Sequence, residues 1–81
     1  MLFERNGRKY ELITVSEPDC RSLELSDVSD DELRIVLIGR LTDDGQYQFL
    51  SLVNRGEAAD APVFLPLELV VEFTVWMKER L

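Results

Sequence analysis

Apolar and polar residues along this chain follow two periods in turn. From Leu2 to about Val53 the apolar positions recur at every second residue, the spacing of half-buried strands; from Pro66 onward they recur at three and four, the spacing of a helix. The first punctuation is Asn6-Gly7, within "FERNGRKY". A two-residue type I′ turn needs two positive φ angles, which Asn and Gly tolerate, so this dipeptide predicts a hairpin. Its register sets Arg5 opposite Arg8, Glu4 opposite Lys9 and Phe3 opposite Tyr10. The opposite charges and the aromatic pair favour that register, and the arginine pair mildly opposes it. The second strand then runs over 8–15, with Tyr10, Leu12 and Thr14 on one face and Glu11, Ile13 and Val15 on the other. Pro18 ends it, and "SLELS" at 22–26 reads as a short third strand with Leu23 and Leu25 inward.

The stretch "SDDELRIVLIGRLTDDGQYQFLSLV", 29–53, carries two conflicting signals. Ser29 followed by Glu32 matches a capping box and would begin a helix. A helix from Leu33 would gather Leu33, Val36, Leu37 and Leu41, but it would turn Ile35 and Ile38 away and place Gly39 inside, at a cost of roughly 1 kcal/mol. Ile35, Val36 and Ile38 are β-branched and favour a strand. "TDDGQ" settles the choice, because Asp43 and Asp44 suit a type I turn and Gly45 the left-handed residue after it. The resulting hairpin, strands about 33–42 and 46–54, pairs Arg40 with Gln48, Ile38 with Leu50 and Val36 with Leu52 on one face. On the other it pairs Leu41 with Tyr47, Gly39 with Phe49, Leu37 with Ser51 and Ile35 with Val53. Phe49 is placed to shield the bare Gly39. The Ser29–Glu32 match then caps at most a single turn.

After "NRGEAADAP" the period changes. Pro66 suits a first helical position, and Leu69, Val70, Phe73, Trp76, Met77 and Leu81 recur on one side, with Glu68, Glu72 and Glu79 opposite. Val71 and Val75 widen the apolar arc. The expected fold is α+β: an antiparallel meander of four to five strands (about 2–5, 8–15, 22–26, 33–42 and 46–54). A C-terminal helix over about 66–80 covers the sheet face of Leu37, Leu41, Tyr47, Phe49 and Val53.

Composition narrows the function classes. A chain of 81 residues holds one domain, and one this small buries roughly 60–65% of its unfolded surface, which leaves stability marginal. Cys20 is the single cysteine, so no internal disulfide can help, and there is no histidine to serve as a base or zinc ligand. Self-association is the remaining aid. The net charge of −7, from 16 acidic and 9 basic residues, opposes binding to nucleic-acid phosphate. The acids gather at 22–33 and at 43–60, while the first 21 residues balance. The start "MLFERNGRKY" has no signal-peptide core, and Pro62, Pro66, Glu68 and Glu72 interrupt the longest apolar stretch before it reaches membrane-span length. A cytoplasmic setting is expected.

Candidate chemistry is sparse. A calcium loop begun at Asp27 would need Gly sixth and Glu twelfth, and those places hold Glu32 and Ile38. Cys20 lacks a base partner and sits among acids, so no nucleophile is expected. There is no Gly-rich phosphate loop or metal-spaced cysteine cluster, and no carboxylate pair is marked out. No catalysis, cofactor, metal or small-molecule substrate is expected.

The sharper signal is the second face of the 33–54 hairpin. Val36, Ile38, Leu50 and Leu52 form its apolar centre, with Arg34, Arg40 and Gln48 prominent among the polar residues around it. One helix shields one side only, so the other is covered either by the N-terminal strands or by a partner. The expectation is a small acidic interaction module that pairs with itself through Arg34, Val36, Ile38, Arg40, Gln48, Leu50 and Leu52. The strand–strand–helix order is broadly similar to that of small sheet-plus-helix transcriptional coactivators that grip single-stranded DNA. Nucleic-acid sheets place aromatics among the bases, however, and this face has none. The alternative is an acidic inhibitor whose carboxylates at 24–32, 43–44 and 57–60 mimic DNA for a nucleic-acid-binding protein.

Overall fold

Both hairpins form where the turn residues dictate. Asn6 and Gly7 take φ of 52° and 77°, and Gly45 takes 85°. Thr42 N donates to Gln46 O at 2.9 Å and Gly45 N to Thr42 O at 3.0 Å, which closes the second loop. In this computed structural model residues 1–30, 33–51 and 64–81 are described, Leu50 and Ser51 by backbone alone. The strands are β1 (Leu2–Arg5), β2 (Arg8–Ser16), β3 (Arg21–Asp27), β4 (Arg34–Leu41) and β5 (Tyr47–Ser51), followed by helix α1 (Leu67–Arg80). They form one antiparallel sheet in chain order. Phe3 faces Tyr10, Arg40 faces Gln48, Gly39 faces Phe49 and Ile38 faces Leu50, as the two turns require. The predicted pairs of Val36 with Leu52 and Ile35 with Val53, the 52–54 end of the last strand and the Ser29–Glu32 box involve positions outside the described residues.

One irregularity changes the reading of β4. Leu25 faces Leu37 but Ser26 faces Ile35, so Val36 is an extra residue in the ladder, a β-bulge. An inserted residue reverses the facing of every position before it. Val36 joins the core at 1% exposure instead of the second face, and half-buried Ile35 takes the open side. Arg34 falls opposite Asp27, in the row of Tyr10, and leaves the second face too.

The core lies between the sheet and α1. Leu69, Phe73 and Met77 descend from the helix onto Tyr10, Leu12, Leu23, Leu25, Val36 and Leu37, with Phe3, Leu41, Leu65, Val70 and Trp76 packed around them. Phe3 stacks on Tyr10 at 5.7 Å between centroids and meets Trp76 edge-on at 5.3 Å, so the first hairpin is held by the far end of the chain. Pro66 is the residue before the helix, with ψ of 134°, instead of its first turn. Its carbonyl accepts from Leu69 N and Val70 N. Tyr47 and Phe49, expected under the helix, remain about half exposed, although Phe49 reaches Phe73 edge-on at 6.0 Å.

Gly39 is closely packed by the helix. A Cβ there would overlap Met77 Sδ, Cε and Cγ, so the methionine lies over the bare glycine. Gly39→Ala is expected to cost about 1 kcal/mol: overpacking takes roughly 1–3 kcal/mol and relief of the strand glycine returns roughly 0.5–1. Urea denaturation of Gly39→Ala, Met77→Ala and the double variant checks this. The double should lose less than the sum of the singles, because the shortened side chain removes the clash.

Open sheet face as a candidate interaction site

The single sheet decides what the second face is. The N-terminal hairpin extends the sheet and does not fold over it, so no element among the described residues covers the side away from α1. Three cross-strand rows follow from the register. Val15, Ser22, Arg40 and Gln48 form the first; Ile13, Glu24, Ile38 and the Leu50 backbone position the second; Glu11, Ser26 and Ile35 the third. Ile13 is 40% exposed, and Val15, Glu24, Ile35 and Ile38 are half-buried. Ser22 and Ser26 are buried on the central strand. Arg40 Nε donates to Gln48 Oε1 at 2.6 Å, and a shallow depression is lined by Ile38, Arg40, Gln48 and Phe49.

Of the residues singled out from sequence, Ile38, Arg40 and Gln48 come together here. Leu50 is placed by its backbone, Leu52 lies outside the described residues, and Val36 and Arg34 belong elsewhere. Ile13, Val15, Glu24 and Ile35 were missed. The first two share one face of β2 in the alternation, but nothing local says that β2 and β4 flank the same strand.

The described loop acids fall into two groups. The Asp27–Asp30 corner lies at the opposite end of β4 from Asp43 and Asp44, eight strand residues away, or roughly 25 Å. The Arg8 guanidinium contacts Asp27 at 3.0 Å and Asp30 at 3.2 Å, and these carboxylates hold its pKa above the usual arginine value. Asp31, Glu32, Glu57 and Asp60 lie outside the described residues.

Asp27 is a structural carboxylate. Partial burial pushes its pKa up, but hydrogen bonds from Ser29 and the Arg8 guanidinium outweigh that, and it sits below the usual carboxylate range. A depressed folded pKa contributes stability above the unfolded value of about 3.9, lost as pH falls through the folded pKa. Asp27→Asn is therefore expected to lower the urea midpoint at pH 7, with the gap to wild type closing towards pH 3. An unchanging gap would show that the charge contributes nothing. Burial raises the pKa of Tyr10, and the nearby Asp27 charge adds to the effect.

Cys20 is half-buried, with Glu17 Oε2 3.9 Å from its Sγ. Among the described residues no group of three metal-ligating side chains converges, and no helix is long and apolar enough to cross a membrane. A second apolar surface follows α1. Val70, Thr74, Met77 and Lys78 form a groove with Tyr47 and Phe49, and Leu67, Val71 and Val75 project outward. No family model, curated protein or solved structure matches the chain.

Proposed function

We propose that this protein is a small, non-catalytic protein–protein interaction module that pairs with a second copy of itself through the open sheet face. The observation that carries this reading is the division of the sheet: one face is filled by α1, and the other presents Ile13, Val15, Ile35 and Ile38 with no covering element among the described residues. An apolar centre with a polar fringe of Glu11, Arg40 and Gln48 is the composition of an interface. A second copy also supplies what a domain of this size lacks, more buried apolar area. The net charge of −7 opposes pairing, but the described loop acids Asp30, Asp43 and Asp44 sit at the sheet ends, and salt screens exposed charges beyond about 8 Å. The face has no aromatic anchor among its described residues, so affinity is expected in the micromolar range.

The same features oppose the other classes. Among their described residues the three rows of the face offer one arginine and no stacking ring to a nucleic acid. The lone thiol fits a reducing, cytoplasmic setting. No small-molecule ligand, cofactor or membrane partner belongs to the proposal.

A methyl NMR dilution series tests it. Ile13, Val15 and Ile38 should shift together between micromolar and millimolar concentration while Leu69 and Leu23 stay fixed. If the shifts follow Val71 and Val75 on the helix instead, the sheet face is not the contact.

A further inference from the structure

Among their described residues the three rows of the open face carry two acids, Glu11 and Glu24, and one base, Arg40, and the positions of Glu24 and Arg40 say how two copies meet. Ser22 faces Arg40 and Glu24 faces Ile38, so these four residues mark the corners of a parallelogram on β3 and β4. Glu24 and Arg40 occupy one diagonal, Ser22 and Ile38 the other. Glu24 is half-buried, Arg40 is exposed, and neither has an ion-pair partner among the described residues; the described ion pairs involve Arg5 and Arg8. Arg40 uses Nε on Gln48, and its other guanidinium nitrogens have no hydrogen-bond partner among the described residues. Removing Glu24 from water beneath a partner would be costly unless a cation met it.

Resting on the self-association reading, we infer that two copies pack face to face about a two-fold axis along the Ser22–Ile38 diagonal, each Glu24 meeting the other copy's Arg40. An axis lying between two stacked sheets along one diagonal exchanges the corners of the other. With strands ~4.8 Å apart and same-face residues ~6.6 Å apart, the exchanged corners coincide to within roughly 3 Å, inside the reach of both side chains. The diagonal is inclined roughly 36° to the strands, so the two sheets cross at roughly 70°, nearer the orthogonal than the aligned class. Ile38 then meets Ile38 and Ser22 meets Ser22 on the axis, as an isologous contact requires. The occupant is a second copy of this chain because the face is complementary to itself: acid to base, isoleucine to isoleucine.

Charge exchange tests the pairing. Glu24→Arg and Arg40→Glu should each weaken self-association about tenfold or more, since like charges then face each other. An equimolar mixture of the two single variants should associate at least as tightly as wild type, because every contact between unlike copies is again acid to base. A Glu24–Arg40 pair formed within one chain gives no gain on mixing, so that outcome overturns the inference. Circular dichroism and Trp76 fluorescence confirm folding. If either charge reversal fails to fold, Glu24→Gln takes its place, and its dimerisation should lose most of the salt dependence shown by wild type; retained dependence also overturns the pairing. The failures are distinct. A wild-type chain that stays monomeric removes the self-association reading itself. A wild-type dimer that Ile38→Glu dissociates, with no gain on mixing, removes only the Glu24–Arg40 geometry.

Discussion

Phe73→Ala is expected to remove a large fraction of the folding free energy and to lower the melting temperature sharply. Phe73 is fully buried at the centre of α1 and is flanked in the helix by Leu69 and Met77, one turn to either side. It touches Phe49 edge-on, and it belongs to the one cluster that joins helix to sheet. Truncating a buried phenylalanine costs about 3–5 kcal/mol, because transfer energy is lost and the surroundings collapse only in part. A domain of 81 residues has about 4–12 kcal/mol in all, at roughly 0.05–0.15 kcal/mol per residue. At roughly 4–8 °C per kcal/mol, Tm should fall by about 12–40 °C. Trp76, the single tryptophan, packs against Phe3 and reports both the helix and the first hairpin in one signal. A thermal scan of its fluorescence should show one transition, shifted down and still cooperative. A fall of less than about 5 °C would mean that the helix is not the main anchor of the core.

Ile38→Glu is expected to act in the opposite manner, sparing the fold and abolishing association. Ile38 sits on the open face between Glu24 on β3 and the Leu50 position on β5, half-buried, outside the core cluster. A glutamate there stays solvated in the monomer and adds a second carboxylate beside Glu24. In a dimer it would bury that charge against its own copy, without a cation. One uncompensated buried charge costs about 3–5 kcal/mol, so affinity should drop by about two orders of magnitude or more. Tm at low protein concentration should change little. Loss of the fold in this variant would assign Ile38 to an intramolecular core.

The parts of this fold that were legible in the sequence are those with a local physical cause. Asn6-Gly7 and Asp43-Asp44-Gly45 demand left-handed backbone at fixed positions, and each turn fixes the whole register of its hairpin. The spacing of Leu69, Phe73 and Met77 fixes the buried side of α1 in the same way. The bulge had no such cause. Ile35, Val36, Leu37 and Ile38 are all apolar, so either facing of the strand looks coherent, and only the Leu25–Leu37 and Ser26–Ile35 pairs reveal the extra residue. That uniformity put Val36 on the wrong side and hid Ile35. Met77 over Gly39 joins positions 38 residues apart, which no local pattern encodes. The candidate face was half legible for a related reason. Ile38, Arg40 and Gln48 share one hairpin, whereas Ile13, Val15 and Glu24 join them only because β3 lies between β2 and β4.

Sedimentation equilibrium of the wild-type chain from about 5 to 500 μM tests most directly whether a second copy covers the open face. The weight-average mass should rise from 9.4 kDa towards twice that value, while Ile38→Glu stays at 9.4 kDa across the range. A wild-type chain that remains at 9.4 kDa at every concentration would contradict the account.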